Sequence, residues 1–191
     1  MKLAIAALAA LAFAAPAHGQ IDEVRVGIGK SDLAVIGDIP SLDPAVAINA
    51  EVIFDKPASW THTLAPRLYT NGQLNLGGGA SWIGGGATWR QGLGDTFYAD
   101  FGIGLVVHDG ILDAFDEIEP GQTFLDALFI ARNNREYGSR VLVREQVALG
   151  ARLNEAWAAE AYFEHVSHGN IWTDAKNDGS DSGGIRLSRR F

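Results

Sequence analysis

The sequence predicts an all-β protein, an eight-stranded antiparallel transmembrane β-barrel. Three observations predict it. Beyond the first 19 residues no segment approaches 18 consecutive apolar residues, so no remaining stretch can cross a bilayer as a helix. Long segments alternate apolar with small or polar residues at the period of a β-strand. These segments number eight, an even count, joined by short turns at one end and longer loops at the other, as in bacterial outer-membrane barrels.

The chain opens with Met1-Lys2, an apolar run from Leu3 to Ala15, and small residues at Ala15-Pro16-Ala17 and Ala17-His18-Gly19. This is the pattern of a cleaved secretory signal, with cleavage after Ala17 or Gly19. The expected organisation is therefore a signal peptide over 1–19 and a barrel over 20–191.

The eight strands are expected near residues 22–29, 45–54, 63–76, 80–91, 95–108, 139–152, 156–167 and 183–191. In the second, Val46, Ile48, Ala50, Val52 and Phe54 face one way, and Ala47, Asn49, Glu51 and Ile53 the other. The third and fourth are separated only by Gly77-Gly78-Gly79, and the fourth and fifth by Gly92-Leu93-Gly94. The fifth is the clearest: Phe97, Ala99, Phe101, Ile103, Leu105 and Val107 make an unbroken apolar face against small or polar neighbours. It exceeds the roughly 5–6 residues of an ordinary strand and suits a tilted strand crossing a bilayer.

In the sixth, Val141, Val143, Val147 and Leu149 share a face with Glu145; a β-bulge turning Glu145 inward would relieve the cost of a carboxylate facing lipid. The turn at Leu153-Asn154-Glu155 leads to the seventh strand, and the eighth sets Ile185, Leu187 and Phe191 against Gly184, Arg186, Ser188 and Arg190. Phe54, Trp60, Trp89, Phe97, Trp157 and Phe191 fall at the expected periplasmic ends as an interfacial girdle. The loops 30–44, 77–79, 109–138 and 168–182 then lie outside.

Composition narrows the function classes. The 191 residues include 23 glycines, which suit a narrow lumen, and no cysteine, which excludes disulfides and thiolate metal sites. A formal net charge of -8 argues against a nucleic-acid partner, because phosphate binding needs a basic face.

The chemistry concentrates in Phe163-Glu164-His165-Val166-Ser167-His168-Gly169-Asn170. On a strand, His165 and Ser167 share a face, here with Trp157, Ala159, Ala161 and Phe163, on the side expected to meet lipid. Polar groups at the edge of hydrocarbon are functional candidates. A serine becomes a nucleophile when a neighbouring base takes its proton, histidine is the usual base, and a carboxylate holds the imidazole in the right tautomer. The same two residues could also bind only water and headgroups. A zinc site of His165, His168, Asp174 and His108 is a further arrangement of these residue types.

The region from Pro66 to Phe191 resembles the lipid A 3-O-deacylase family (PagL), which includes proteins labelled acyloxyacyl hydrolases. The resemblance rests on His165-Val166-Ser167 at a strand end, Asn177-Asp178-Gly179-Ser180-Asp181 in the following loop, and the last strand from Gly184 to the terminal aromatic Phe191. Ala87-Thr88-Trp89-Arg90, Val107-His108-Asp109-Gly110 and Val141-Leu142-Val143-Arg144-Glu145 add to it. Where the family has Asn after the serine, this chain has His168, and Asp181 stands where the family often has Glu.

The resemblance implies Ser167 as nucleophile, His165 as base and Asp181 as the orienting acid. It implies Asn177 and Gly179 as oxyanion or substrate contacts. The implied activity is removal of an ester-linked acyl chain from lipid A of lipopolysaccharide in the outer leaflet, by an integral outer-membrane protein that needs no cofactor and no metal. Asp174 and Asp178 are rival orienters, while Glu164 points to the other face. The alternative is a non-enzymatic barrel that stiffens the membrane or engages a partner through the acidic loop 109–138.

Overall fold

A computed structural model describes residues 20–33, 35–36, 45–62 and 64–191; the expected signal peptide over 1–19 lies outside them. The strands are β1 (Ile21–Leu33), β2 (Ala45–Phe54), β3 (Arg67–Asn75), β4 (Trp82–Leu93), β5 (Phe97–His108), β6 (Val141–Arg152), β7 (Trp157–Ser167) and β8 (Ser180–Arg190). Each pairs antiparallel with the next, and β1 also pairs with β8, so the sheet closes into a barrel without a free edge.

The alternation read from the sequence sorts the side chains as expected. On β5, Phe97, Phe101, Ile103, Leu105 and Val107 are exposed on the outer wall while Tyr98, Asp100, Val106 and His108 are buried inside. Such an apolar outer belt is the surface a membrane barrel turns to lipid. Phe54 departs from the expectation: it has outward parity but is buried at the strand end.

The interior is full. Arg25 meets Glu23 at 2.6 Å and Glu51 at 2.8 Å and also pairs with Asp100. Arg144 meets Glu164 at 2.6 Å, and Arg186 pairs with Glu160. Buried charges persist when they are paired and hydrogen-bonded. Each charged side chain of this cluster meets partners on other strands, so the network ties the wall together across the lumen. Glycine makes room for the larger lumen side chains. At Gly150 a Cβ would lie 2.2 Å from the Tyr98 ring, so the tyrosine can cross the lumen and donate to Glu160 at 2.6 Å. Nearer the loops the filling turns apolar: Ala80, Trp82, Val106, Tyr137, Leu142 and Val166 form one buried cluster.

One end of the barrel carries the start of β1, the C-terminus and the turns at 94–96 and 153–156; the other carries the connections 76–81, 109–140 and 168–179. The long connection between β5 and β6 is not wholly irregular. It holds a helix, α1 (Phe124–Asn133), that the acidic composition of the loop concealed. Thr123 starts it, donating from N and Oγ1 to Asp126 Oδ2 at 2.6 and 2.8 Å.

Candidate active site

The site sits on the outer wall at the loop end. β7 ends at Ser167, so the strand's outward row runs Trp157, Ala159, Ala161, Phe163, His165, Ser167. The row is apolar until its last two members. Register fixes what flanks them: His165 lies opposite Glu145 on β6 and Asp181 on β8, and Ser167 lies opposite Val143.

β8 begins three residues earlier than its sequence pattern suggested, at Ser180, and this start makes Asp181 a strand residue rather than a loop residue. His165 Nδ1–H donates to Asp181 Oδ1 at 2.7 Å. A carboxylate only accepts, so the bond places the imidazole proton on Nδ1 and leaves the Nε2 lone pair free. The Asp181 side chain is wholly buried, whereas His165 keeps 15% exposure.

The second Asp181 oxygen is held by a segment that sequence reasoning missed. Val35 N and Ile36 N, just past β1, donate to Oδ2 at 2.9 and 2.7 Å. Only the pairing of β1 with β8 brings them there. Ser180, the neighbour of Asp181, points inward and donates to Asp32 Oδ1 at 3.0 Å, and Asp32 also pairs with Arg135. The Asp181 carboxylate is thus fixed on both sides by chain segments remote in sequence.

Gly179 packs directly on the dyad. Its φ is +61°, and a Cβ there would stand 3.0 Å from His165 Cε1 and 3.4 Å from Ser167 Cβ. The left-handed backbone and the close approach both require glycine. Asn177 Oδ1 accepts from the His168 amide at 3.4 Å, and among the described residues its Nδ2 donates to no partner. Ser167 Oγ makes no hydrogen bond to the imidazole among the described residues; such bonds often tighten only when substrate is bound.

The other sequence candidates lie elsewhere. His168 points inward, fully buried, with Nδ1 accepting from Asn170 N at 3.1 Å. His108 Nε2 contacts Ser139 O at 2.7 Å, pinning the long connection. Asp178 accepts from Glu136 N at 2.9 Å, and Glu164 is buried against Arg144. Burial alone would lower the Lys176 pKa, but its hydrogen bonds to Glu136 and Asp178 outweigh that and raise it above the ordinary lysine range. The four residues considered for zinc do not gather: among the described residues no three metal-ligating side chains form a group. Glu145 is not turned inward by a bulge; the β5–β6 register is continuous and Glu145 is exposed on the outer wall.

A family model described as lipid A 3-O-deacylase (PagL) matches residues 46–190, a span that includes Ser167, His165, Asp181, Asn177 and Gly179 but not β1 or Val35 and Ile36. Among solved structures, the barrel is similar to the outer membrane enzyme PagL, with 12% identity, 88% of this chain and 99% of that chain covered, and a TM-score of 0.56. It is similar to Neisserial surface protein A (NspA) to nearly the same degree: 10% identity, 91% and 99% covered, TM-score 0.55. At these identities the two likenesses describe the fold. No curated protein matches the chain.

Proposed function

The chain belongs to the lipid A 3-O-deacylase (PagL) family of outer-membrane enzymes, and we propose that it removes the 3-O-linked acyl chain of lipid A in the outer leaflet as a serine esterase. The observation that carries the mechanism is the His165–Asp181 hydrogen bond of 2.7 Å beside Ser167, on a wall otherwise suited to lipid.

In this reading the acyl chain lies along the apolar outer wall and the sugar sits at the strand end. Ser167 Oγ attacks the ester carbonyl while His165 Nε2 takes its proton. Asp181 holds Nδ1–H and steadies the imidazolium. The negative oxygen of the tetrahedral intermediate faces the Asn177–Gly179 segment, where Asn177 Nδ2 is the free donor. The intermediate collapses with cleavage of the bond to the sugar oxygen, which leaves with the proton held by His165. Water, deprotonated by His165, then releases the fatty acid from Ser167. Wild-type barrel and Ser167→Ala should differ in the mass spectrum of lipid A from cells expressing them. Loss of one hydroxyacyl mass with wild type alone is the expected result; identical spectra would overturn the esterase reading.

The barrel resembles Neisserial surface protein A nearly as closely as it resembles PagL, so a surface barrel without catalysis is the competing reading. The buried, doubly anchored Asp181 favours the enzyme, since a carboxylate serving no imidazole has no need of that enclosure.

A further inference from the structure

From β5 to β8 the outward positions are apolar along the strands, apart from Arg189 at the far end and one patch. The patch consists of Glu145, His165, Ser167 and Asp181, placed side by side by the register of β6, β7 and β8. Three of its members have roles in the reading above. Glu145 does not.

Its surroundings give it no structural partner. On β5 it faces Ile103, and along β6 its outward neighbours are Val143 and Val147. Among the described residues it forms no ion pair, and the imidazole nitrogen nearest to a carboxylate is already bonded to Asp181. An unpartnered carboxyl in an otherwise apolar outward row is unfavourable, and nothing in the fold requires it there. Directly opposed residues have Cβ atoms about 5 Å apart and diagonal ones about 7–8 Å. Glu145 therefore shares the outer face with His165 and Ser167, within side-chain reach of the space that a reacting ester would occupy in the esterase reading. A lasting bond from Glu145 to His165 Nε2 would block the proton transfer from Ser167, so the carboxyl is left to face the substrate.

We propose that Glu145 is a specificity residue: it accepts a hydrogen bond from an N–H or O–H donor on the sugar next to the scissile ester. An N-acylated amino sugar esterified at the neighbouring carbon presents such a donor, the amide N–H. A simple ester does not. The assignment rests on the esterase reading for the place of the ester, but recognition can be measured without turnover.

The experiment uses the folded full-length barrel in detergent micelles, with Glu145→Leu and Glu145→Gln made in wild type and in Ser167→Ala. Substrates are lipid A and a donor-free p-nitrophenyl ester. Glu145→Leu should lower kcat/KM on lipid A about tenfold or more, mainly through KM, the scale of one charge-assisted hydrogen bond. Its loss on the p-nitrophenyl ester should be several-fold smaller, and Glu145→Gln, which keeps an acceptor oxygen, should retain more lipid A activity than Glu145→Leu. In the Ser167→Ala background, Glu145→Leu should weaken lipid A binding by a similar factor. Equal losses on both substrates, or unchanged lipid A turnover and binding with greater resistance to urea, would overturn the proposal. If wild type leaves lipid A intact while binding still depends on Glu145, the esterase reading falls and the recognition role stands.

Discussion

At the scale of single residues, the site makes unequal demands. Ser167→Ala should abolish deacylation and His165→Asn should come close to it, because nucleophile and base act as a unit. Asp181→Asn should cost less, about 10²–10⁴-fold, since an orienting acid is the least critical member of such a set. Rates on purified lipid A, with unheated gel mobility to show that each barrel is folded, check all three. Gly179→Ala is the sharper geometric test. It strains a left-handed φ of +61° and places a methyl 3.0 Å from the imidazole. Activity should fall at least tenfold as the methyl displaces the imidazole, and the barrel should lose about 1–3 kcal/mol of stability, the scale of strain at a special backbone position.

At the scale of elements, the segment beyond β1 and the loops over the barrel matter as much as β7. Ile36→Pro removes the N–H that holds Asp181 Oδ2 at 2.7 Å, because proline has no donor. Deacylation should drop about tenfold or more, the worth of one hydrogen bond to a charged group, with the strands intact by circular dichroism. The loop pairs of Lys176 with Glu136 and Asp178 predict a pH response. The Lys176 pKa is raised in the folded state, so its contribution is complete below the ordinary lysine pKa and is lost as pH rises through the raised value. Protease nicking between 134 and 138 or 174 and 178 should therefore increase in strongly alkaline buffer before the barrel itself opens. Inside the barrel, Gly150→Val would drive a side chain into the Tyr98 ring and should destabilise the fold by about 1–3 kcal/mol, the usual scale of overpacking.

For the molecule as a whole, closure of eight strands around a filled lumen means a rigid, non-conducting cylinder. The protein should fractionate with outer membranes and migrate differently in gels when unheated. Protease added to intact cells should cut within 109–138 or 168–179 and spare the turns at 94–96 and 153–156. Cleavage at those turns would invert the orientation and turn Ser167 toward the inner leaflet. In the proposed mechanism the reacting groups stand on the wall rather than in the lumen, and the substrate approaches from within the bilayer. Plugging the lumen with bulkier side chains at Gly102, where Gln146 already fills the space, should act through stability and not through substrate access.

The sequence by itself determined the closed barrel, its strand count, the faces of nearly every strand, and the His165–Ser167 pair, because a period of two survives any tertiary arrangement. It also carried the motif from Asn177 to Asp181 that marks the family. Tertiary structure decided what stands beside that pair. The start of β8 at Ser180, the Val35 and Ile36 amides on Asp181, and the approach of Gly179 all depend on which strands pair and in what register. Helix α1 was concealed because its short apolar run, Phe124-Leu125-Asp126-Ala127-Leu128-Phe129-Ile130-Ala131, follows an acidic stretch and buries only Ala127. The setting of Glu145 shows the same division most clearly. Alternation along β6 set it in the outward row but left room for a bulge that would turn it inward, and its place opposite His165 is a fact of cross-strand register, which one strand's sequence does not contain.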